Sequence, residues 1–186
     1  MKKLFLAAFV ALTAIAANAQ SWVGGSLGID FTTPKGGETV TTFTISPEYG
    51  YNFNDKWAIG VALEEESTFI DNSTVNVVSI EPFARFTFAK TGIVSFFVDG
   101  GVGFGCEFAE QDGETFDDYS AWGWSIGFKP GVKIAVSESL SLVAKLGFFG
   151  YKQFEAGDAY PDAVSYSSFG LTANTDALSI GMHWEF

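Results

Sequence analysis

The alternation of apolar and polar side chains constrains the fold of this chain more than any other feature. In the last nine residues, LSIGMHWEF, every second side chain from Leu178 to the terminal Phe186 is apolar. Successive side chains of a β-strand point to opposite faces, so a period of two predicts a strand with one apolar face. The end of the chain is therefore predicted to be such a strand.

The same period recurs in eight segments. We predict strands over residues 21–31, 40–53, 57–67, 74–89, 93–106, 119–136, 140–152 and 166–186. Several runs are longer than the usual strand of a soluble sheet, and strands that cross a bilayer at a tilt need such length. Tight turns at 54–55, 90–92 and 137–139 alternate with longer polar loops near 32–39, 67–73, 107–118 and 153–165. This pattern predicts an all-β fold: an eight-stranded antiparallel up-and-down transmembrane β-barrel with both termini at its short-turn, periplasmic rim.

A soluble eight-stranded barrel would show the same period, so the chemistry of the two faces must distinguish a soluble barrel from a membrane barrel. Long charged side chains would cover the polar face of a soluble barrel, whereas here that face is rich in Gly, Ser, Thr and Ala, which suit a narrow lumen. The apolar face carries aromatic residues near the predicted short-turn rim, as a membrane girdle requires: Tyr49, Tyr51, Phe53, Trp57, Phe86, Phe88, Trp184 and Phe186. These features favour the membrane barrel.

The first residues have the features of a secretory leader. Lys2 and Lys3 precede an apolar core over 4–17, and Ala17-Asn18-Ala19 forms a small-x-small cleavage site. The apolar run is shorter than the roughly 20 residues that a spanning helix needs. We predict a cleaved signal peptide over residues 1–19 and a barrel domain over 20–186.

Charge and cysteine content exclude other classes of protein. Cleavage would remove two of the ten basic residues and none of the 22 acidic ones. Nucleic acid is therefore not expected as a partner, because phosphate binding needs clustered Lys and Arg. The single Cys106 excludes an intramolecular disulfide, and we interpret it as a buried small residue rather than a reactive thiol.

Three predicted strands share an internal proline, at Pro47, Pro82 and Pro130. Proline has no backbone donor, so each predicts a local bulge or one lost ladder hydrogen bond.

The segments ISPEYGYNFNDKWAIG, from Ile45, and KPGVKIAVSESLSL, from Lys129, together with the terminal strand, resemble the porin-like outer-membrane β-barrel family common in Bacteroidota-type Gram-negative bacteria. That family is related in architecture to the OmpA transmembrane domain and to OmpX. Its motifs are strand and turn signatures without catalytic residues.

The resemblance implies location in the cell outer membrane, with outer-membrane lipid and lipopolysaccharide as surroundings. It also implies insertion by the barrel-assembly machinery. The assembly signal would then lie on the apolar face of the terminal strand, at Ile180, Met182, Trp184 and Phe186.

The predicted inward face carries charges of both signs: Glu48, Glu64, Glu81, Arg85, Asp99, Lys129, Lys133, Lys145, His183 and Glu185. The lumen of an eight-stranded barrel is just wide enough for side chains to fill, and buried charges persist only when paired. We therefore expect a network of ion pairs that closes the lumen. A gated ion path or a proton-responsive network is the alternative interpretation of the same residues.

His183 also raises the question of catalysis, because some small outer-membrane barrels modify lipid A. Ser179 and Glu185 share its predicted face, but His183 lies near the periplasmic rim, away from lipid A. We expect a lumen-filling histidine, no enzymatic activity, and no cofactor or metal.

Acidic residues cluster in the predicted third loop: Glu107, Glu110, Asp112, Glu114, Asp117 and Asp118. Their spacing does not match an EF-hand, so a solvated acidic surface is expected, with aromatic neighbours that leave room for an extracellular ligand. Two functions remain open. The first is a non-enzymatic barrel with a closed lumen and a structural or surface-interaction role, and the second is a small cation-preferring pore.

Overall fold

The computed structural model describes residues 21–33, 39–70, 73–111, 114–156, 166–172 and 178–186. The predicted signal peptide over 1–19 lies outside these residues. The described chain forms ten strand segments: β1 (Ser21–Thr32), β2 (Val40–Asn52), β3 (Trp57–Ile70), β4 (Ser73–Thr91), β5 (Val94–Gln111), β6 (Glu114–Ala135), β7 (Leu140–Leu146), β8 (Phe148–Ala156), β9 (Tyr166–Thr172) and β10 (Leu178–Glu185).

These segments close into an antiparallel ring. Each strand from β1 to β6 pairs with the next along the chain, β6 pairs with both β7 and β8, and β10 returns to pair with β7 and β1. Backbone hydrogen bonds between Ser21 and Phe186 extend the closing ladder to the last residue. The predicted eight-stranded barrel is confirmed, because β7 and β8 together form its seventh strand and β9 and β10 its eighth.

Gly147 divides the seventh strand. It has a positive φ of 71°, a conformation that only glycine adopts at little cost. Across it the partner in the eighth strand changes from Leu178, opposite Leu146, to Thr172, opposite Phe148. Residues 173–177, between β9 and β10, lie outside the described chain. A single glycine therefore shifts the register of the last two barrel strands.

The three strand prolines interrupt the pairing of their strands, as expected from their missing N–H donor. The β2–β3 ladder has no pairs at Ser46 and Pro47, and the β4–β5 ladder has none at Glu81 and Pro82, yet the register is the same on both sides of each interruption. At Pro130 the register does shift, because β6 changes partner from β7 to β8 close to Gly147. One proline thus marks a bulge and two mark lost ladder bonds.

Two of the predicted loops prove to be strand. The β3–β4 ladder continues to the pair of Ile70 and Ser73, and the β5–β6 ladder to the pair of Gln111 and Glu114. The predictions of loops near 67–73 and 107–118 were therefore wrong. Backbone ladders continue there without an apolar face, and so without the period-two signal that a membrane-embedded segment must show.

The outward face is apolar along the ring, with Ile59, Phe104, Trp122 and Met182 among its exposed side chains. Cys106 is exposed on this face, paired with Val78 and Trp122 of the neighbouring strands. The prediction that it is buried was wrong, because its place in the alternation directs it away from the lumen. Among the described residues, no helix has the length and hydropathy needed to cross a bilayer.

Candidate functional site: the charged lumen

Inward glycines make room for aromatic side chains in the middle of the lumen. Trp22 is paired with Gly50 of the neighbouring strand, and a Cβ atom there would lie 2.1 Å from the indole ring. Phe83 covers Gly60 and Phe97 covers Gly131 in the same way, at 2.5 and 2.3 Å. The Trp22, Phe83 and Phe97 side chains are all buried. Alternating large and small residues across paired strands thus fill the barrel as a core does.

Arg85 lies among these rings. Its Nε donates to Asp99 Oδ1 at 2.7 Å and its Nη2 to Asp99 Oδ2 at 2.8 Å. The guanidinium carbon is 4.0 Å from the centre of the Phe97 ring and 5.0 Å from that of Trp22. Arg85 and Asp99 are buried and directly paired on β4 and β5, so the two-pronged bond is a cross-strand pair inside the lumen.

A second buried carboxylate joins the strands on the far side of the lumen. Glu48 accepts a hydrogen bond from Lys145 Nζ at 2.6 Å and is hydrogen-bonded to His183 Nε2 at 2.5 Å. The His183 ring stacks on Trp22 with centroids 4.0 Å apart. Lys145 Nζ also lies 3.5 Å from Asp99, and Arg85 Nη2 lies 4.0 Å from Glu48. We call Glu48, Arg85, Asp99, Lys145 and His183 the central cluster.

Two cavities lie on either side of the central cluster. The terminal vestibule, of about 450 Å³, is bounded by the tight turns and by Arg85, Trp22 and Phe97. The distal vestibule, of about 370 Å³, is bounded by Lys145 and by inward residues of the opposite barrel half, including Glu64 and Glu81. The lumen is therefore divided into two chambers, each lined in part by charged side chains, with a buried layer of charged and aromatic side chains between them.

Each vestibule has its own ion pairs. In the distal vestibule, Lys129 Nζ donates to Glu81 at 2.8 Å and to Glu64 at 3.4 Å. In the terminal vestibule, Lys133 forms an ion pair with Glu185, which also accepts a hydrogen bond from Ser141. These side chains are about a fifth exposed or more, apart from Glu81 at 13%. They are thus more accessible than the members of the central cluster, whose side chains are at most 10% exposed.

The structure places all ten predicted lumen charges in three separate groups of ion pairs and hydrogen bonds. Five form the central cluster, three form the group around Lys129, and two form the Lys133–Glu185 pair. The hydrogen bond of His183 is to Glu48 rather than to Ser179 or Glu185, the two residues predicted to share its face. Within the described chain, no group of three or more His, Cys, Asp and Glu residues has the arrangement of a metal site.

Sequence analysis missed two kinds of lumen residue. Three inward aromatic residues, Trp22, Phe83 and Phe97, escaped because aromatic residues were assigned to the lipid face. Three charges of the distal vestibule, Asp30, Glu66 and Lys152, were also missed. Glu66 shares the inward parity of Glu64 and could have been found from it. Lys152 could not, because Gly147 reverses the parity of the seventh strand.

The predicted interaction residues lie at or near the end of one hairpin. Glu107 and Glu110 are on β5, Glu114, Asp117 and Asp118 are on β6, and Asp112 lies outside the described residues. They are therefore strand residues rather than loop residues. At the other end of the barrel, Ile180, Met182 and Trp184 form an exposed apolar row on β10, which ends beside Phe186.

Solved structures with this architecture are known. The chain is similar to Neisserial surface protein A, with a TM-score of 0.56, 17% identity, and coverage of 91% of this chain and 98% of that one. It is also similar to Ail, the attachment invasion locus protein of Yersinia pestis, with a TM-score of 0.51, 14% identity, and coverage of 91% and 99%. The corresponding values for OprG from Pseudomonas aeruginosa are 0.51, 12%, 90% and 96%. At such identities the likeness shows the fold alone, and no curated protein sequence matches the chain.

The family model for the outer membrane protein beta-barrel domain matches residues 4–186. This match and the closed barrel together place the chain in the outer membrane of a Gram-negative bacterium. Over almost its entire length, then, the chain belongs to the outer-membrane β-barrel domain family.

Proposed function

We propose that the chain is a non-enzymatic barrel whose lumen is closed by the central cluster, and that it acts through the surface it presents outside the membrane. The observation that carries this proposal is the contact of the Arg85–Asp99 pair with the Lys145–Glu48 pair between the two vestibules. Two acidic and two basic side chains are paired there, so a passing ion would have to break an ion pair in a medium of low dielectric.

Burial supports closure independently of charge. Trp22, Phe97, His183 and Asp99 are the largest fully buried side chains of the described residues, at 2% exposure or less. A continuous water path would have to pass beside them. The rings of Trp22, Phe83 and Phe97 also contact the guanidinium of Arg85, which restricts the movement of that side chain.

Single-channel recording in planar bilayers tests closure. The mature chain is refolded, and its folding is verified by heat-modifiable gel mobility. A known porin inserted under the same conditions shows that the recording detects open barrels. We expect no discrete conductance steps from the folded chain. Reproducible steps would contradict a closed lumen.

The second candidate is a small cation-preferring pore. The specific observation in its favour is that charged side chains line both vestibules and that one layer of side chains separates them, with Lys145 bounding one chamber and Arg85 the other. This candidate predicts steps in the same recording, with a reversal potential in a salt gradient that favours cations. A preference for anions would contradict it.

We also propose that the barrel-assembly machinery reads the apolar row of β10 and Phe186. The exposed row of Ile180, Met182 and Trp184 supports this, because a machine acting from the periplasm can reach it before the barrel closes. Phe186→Ala should slow machinery-assisted folding in vesicles. Phe88→Ala is the control, because Phe88 is an exposed aromatic residue on another strand, away from the apolar row of β10. Equal rates for the two variants would refute the proposal.

The surface role is proposed for the acidic β5–β6 hairpin. Its carboxylates would favour cationic partners, including divalent cations that bridge them to the phosphates of lipopolysaccharide. Neutral amides at Glu107, Glu110, Asp112, Glu114, Asp117 and Asp118 should weaken binding to lipopolysaccharide vesicles in Mg²⁺. Chelation of Mg²⁺ should abolish the difference between this variant and the unmodified chain. Unchanged binding by the variant would exclude the hairpin as the contact.

A further inference from the structure

His183 is the single histidine of the chain, and it lies in the central cluster that closes the lumen. Its side chain is 1% exposed. Histidine is the side chain whose charge ordinarily changes between about pH 5 and 8. The one histidine of the protein is therefore placed in the buried layer between the two vestibules, where a change of charge has the largest consequence.

The hydrogen bond to Glu48 determines which ring nitrogen of His183 carries the proton. A carboxylate has no proton to donate, so Nε2 is the donor to Glu48 Oε1, at 2.5 Å. The neutral ring then has a bare lone pair at Nδ1. That atom is buried and has no hydrogen-bond partner among the residues that the structure describes. A second proton on the ring would therefore create a buried N–H without an acceptor.

The charged neighbours of His183 leave no negative charge unused. Lys145 Nζ lies 2.6 Å from the Glu48 carboxylate, and Arg85 Nη2 lies 4.0 Å from it. Asp99 is bonded to Arg85 and lies 3.5 Å from Lys145. The formal charges of these four side chains, from β2, β4, β5 and β7, cancel. A neutral His183 thus leaves the cluster neutral, whereas a protonated ring adds an uncompensated positive charge to a buried site.

The other neighbours of His183 do not compensate that charge within the layer. Trp22 of β1 stacks on the ring with centroids 4.0 Å apart, and Ser141 lies opposite on β7. The next carboxylate on the same face of β10 is that of Glu185, which is paired with Lys133 of β6. Both members of that pair line the terminal vestibule. Compensation of a protonated ring would therefore have to come from the side of this chamber.

We propose that protonation of His183 opens the lumen to small ions, so that the barrel is closed at neutral pH and conducts in acid. This inference rests on the proposed closure of the lumen by the central cluster. Water that enters the layer supplies an acceptor to the new Nδ1–H and solvates the added charge. Because one layer of side chains separates the two vestibules, water at His183 joins them into a continuous path.

Single-channel recording of the refolded mature chain at two pH values tests the switch. We expect the open probability to rise at least tenfold from about pH 7.5 to about pH 5.5, the interval in which histidine ordinarily gains its proton. His183→Gln is the matched variant, because its amide can still donate to Glu48 but takes up no proton, and it should show no such rise. A rise below tenfold in the unmodified chain, or an equal rise in the variant, would overturn the proposal.

Nitrogen NMR of the unmodified chain gives a readout that does not depend on the folding of a variant. With one histidine and no affinity tag, ¹⁵N-histidine labelling yields the two ring nitrogens of His183 alone. Their resonances distinguish the neutral Nε2–H ring from the imidazolium. We expect the neutral Nε2–H ring at about pH 7.5 and the imidazolium over the interval in which conduction appears. An imidazolium already at neutral pH, or a neutral ring in the conducting state, would overturn the proposal.

A control variant separates His183 from the nearest carboxylate on its own strand. Glu185→Gln removes the ion pair with Lys133 and leaves the bond between His183 and Glu48 in place. The rise in open probability should persist in this variant. Its loss would assign the proton to Glu185 and overturn the role of His183. Conductance steps at neutral pH contradict the proposed closure, whereas the lack of an acid-induced rise contradicts the switch, so the two proposals fail separately.

Discussion

The central cluster and the distal vestibule use the same inward strand positions in opposite ways. In the central cluster, aromatic rings cover glycines, and each of the five polar residues has an ion-pair or hydrogen-bond partner, although His183 Nδ1 is buried with none among the described residues. In the distal vestibule, Ser, Thr and Gly line an open cavity, and Asp30 and Glu66 form no ion pair with any other residue that the structure describes. This difference indicates that the size of the neighbouring inward side chains determines whether an inward charge must be paired. Where small residues admit water, the charge can remain free to bind something else.

Arg85→Ala should produce the largest change in stability. It leaves Asp99 buried without its two-pronged partner, and loss of one member of a buried ion pair costs about 3–5 kcal/mol. Urea unfolding of the barrel in lipid vesicles measures the loss. Lys129→Ala is the matched control from the distal vestibule, where water can solvate the released carboxylates, and it should cost about 1 kcal/mol or less. Equal losses would remove the distinction between the two regions.

A pair of glycine substitutions tests the same distinction through packing. A Cβ atom at Gly50 would lie 2.1 Å from the Trp22 ring, so Gly50→Ala must displace the indole from the buried layer. Overpacking of this kind costs about 1–3 kcal/mol. At Gly28, in the distal vestibule, the nearest atom would be Thr44 Cβ at 3.5 Å, an ordinary contact. Gly28→Ala should therefore leave the unfolding free energy within about 0.5 kcal/mol of the original.

The same unfolding titration gives the result that would contradict this prediction. If Gly50→Ala were as stable as Gly28→Ala, Trp22 would have to move at no cost. The central layer would then be loosely packed, and the proposed closure of the lumen would lose its support from packing.

Much of this architecture follows from the sequence because a membrane barrel repeats one physical requirement along every strand. Lipid on one side and a narrow lumen on the other impose a strict alternation, so strand number and the ten inward charges, from Glu48 to Glu185, could be predicted. The partners of those charges could not, since a ring closes through register and tilt. The Lys145–Glu48 contact joins residues 97 positions apart in the chain.

The wrong and missed predictions fall where the apolar–polar alternation does not distinguish inward from outward side chains. The extended β5–β6 hairpin continues where neither face has to be apolar, so its acidic residues were interpreted as a loop. Gly147 reverses the parity of the seventh strand, which concealed Lys152. Trp22 and Phe97 were missed because an aromatic side chain suits both a lipid interface and a filled lumen, and only the glycine across the ladder distinguishes the two.

Cys106→Ala should change the unfolding free energy least. It tests whether the difference between the central cluster and the distal vestibule is confined to the lumen or extends to the outer face of the barrel. The side chain is exposed on the outer face, between Val78 and Trp122 of neighbouring strands, where lipid rather than protein surrounds it. Cys106→Ala removes no buried packing and leaves no cavity, so the unfolding free energy in vesicles should change by no more than about 0.5 kcal/mol. Ala84→Ser is the matched substitution on the outer face next to Arg85, and it should be similarly small. A loss of about 2 kcal/mol or more from Cys106→Ala would mean that the thiol packs against protein. The contrast between a dry central layer and an open distal chamber would then extend to the wall itself.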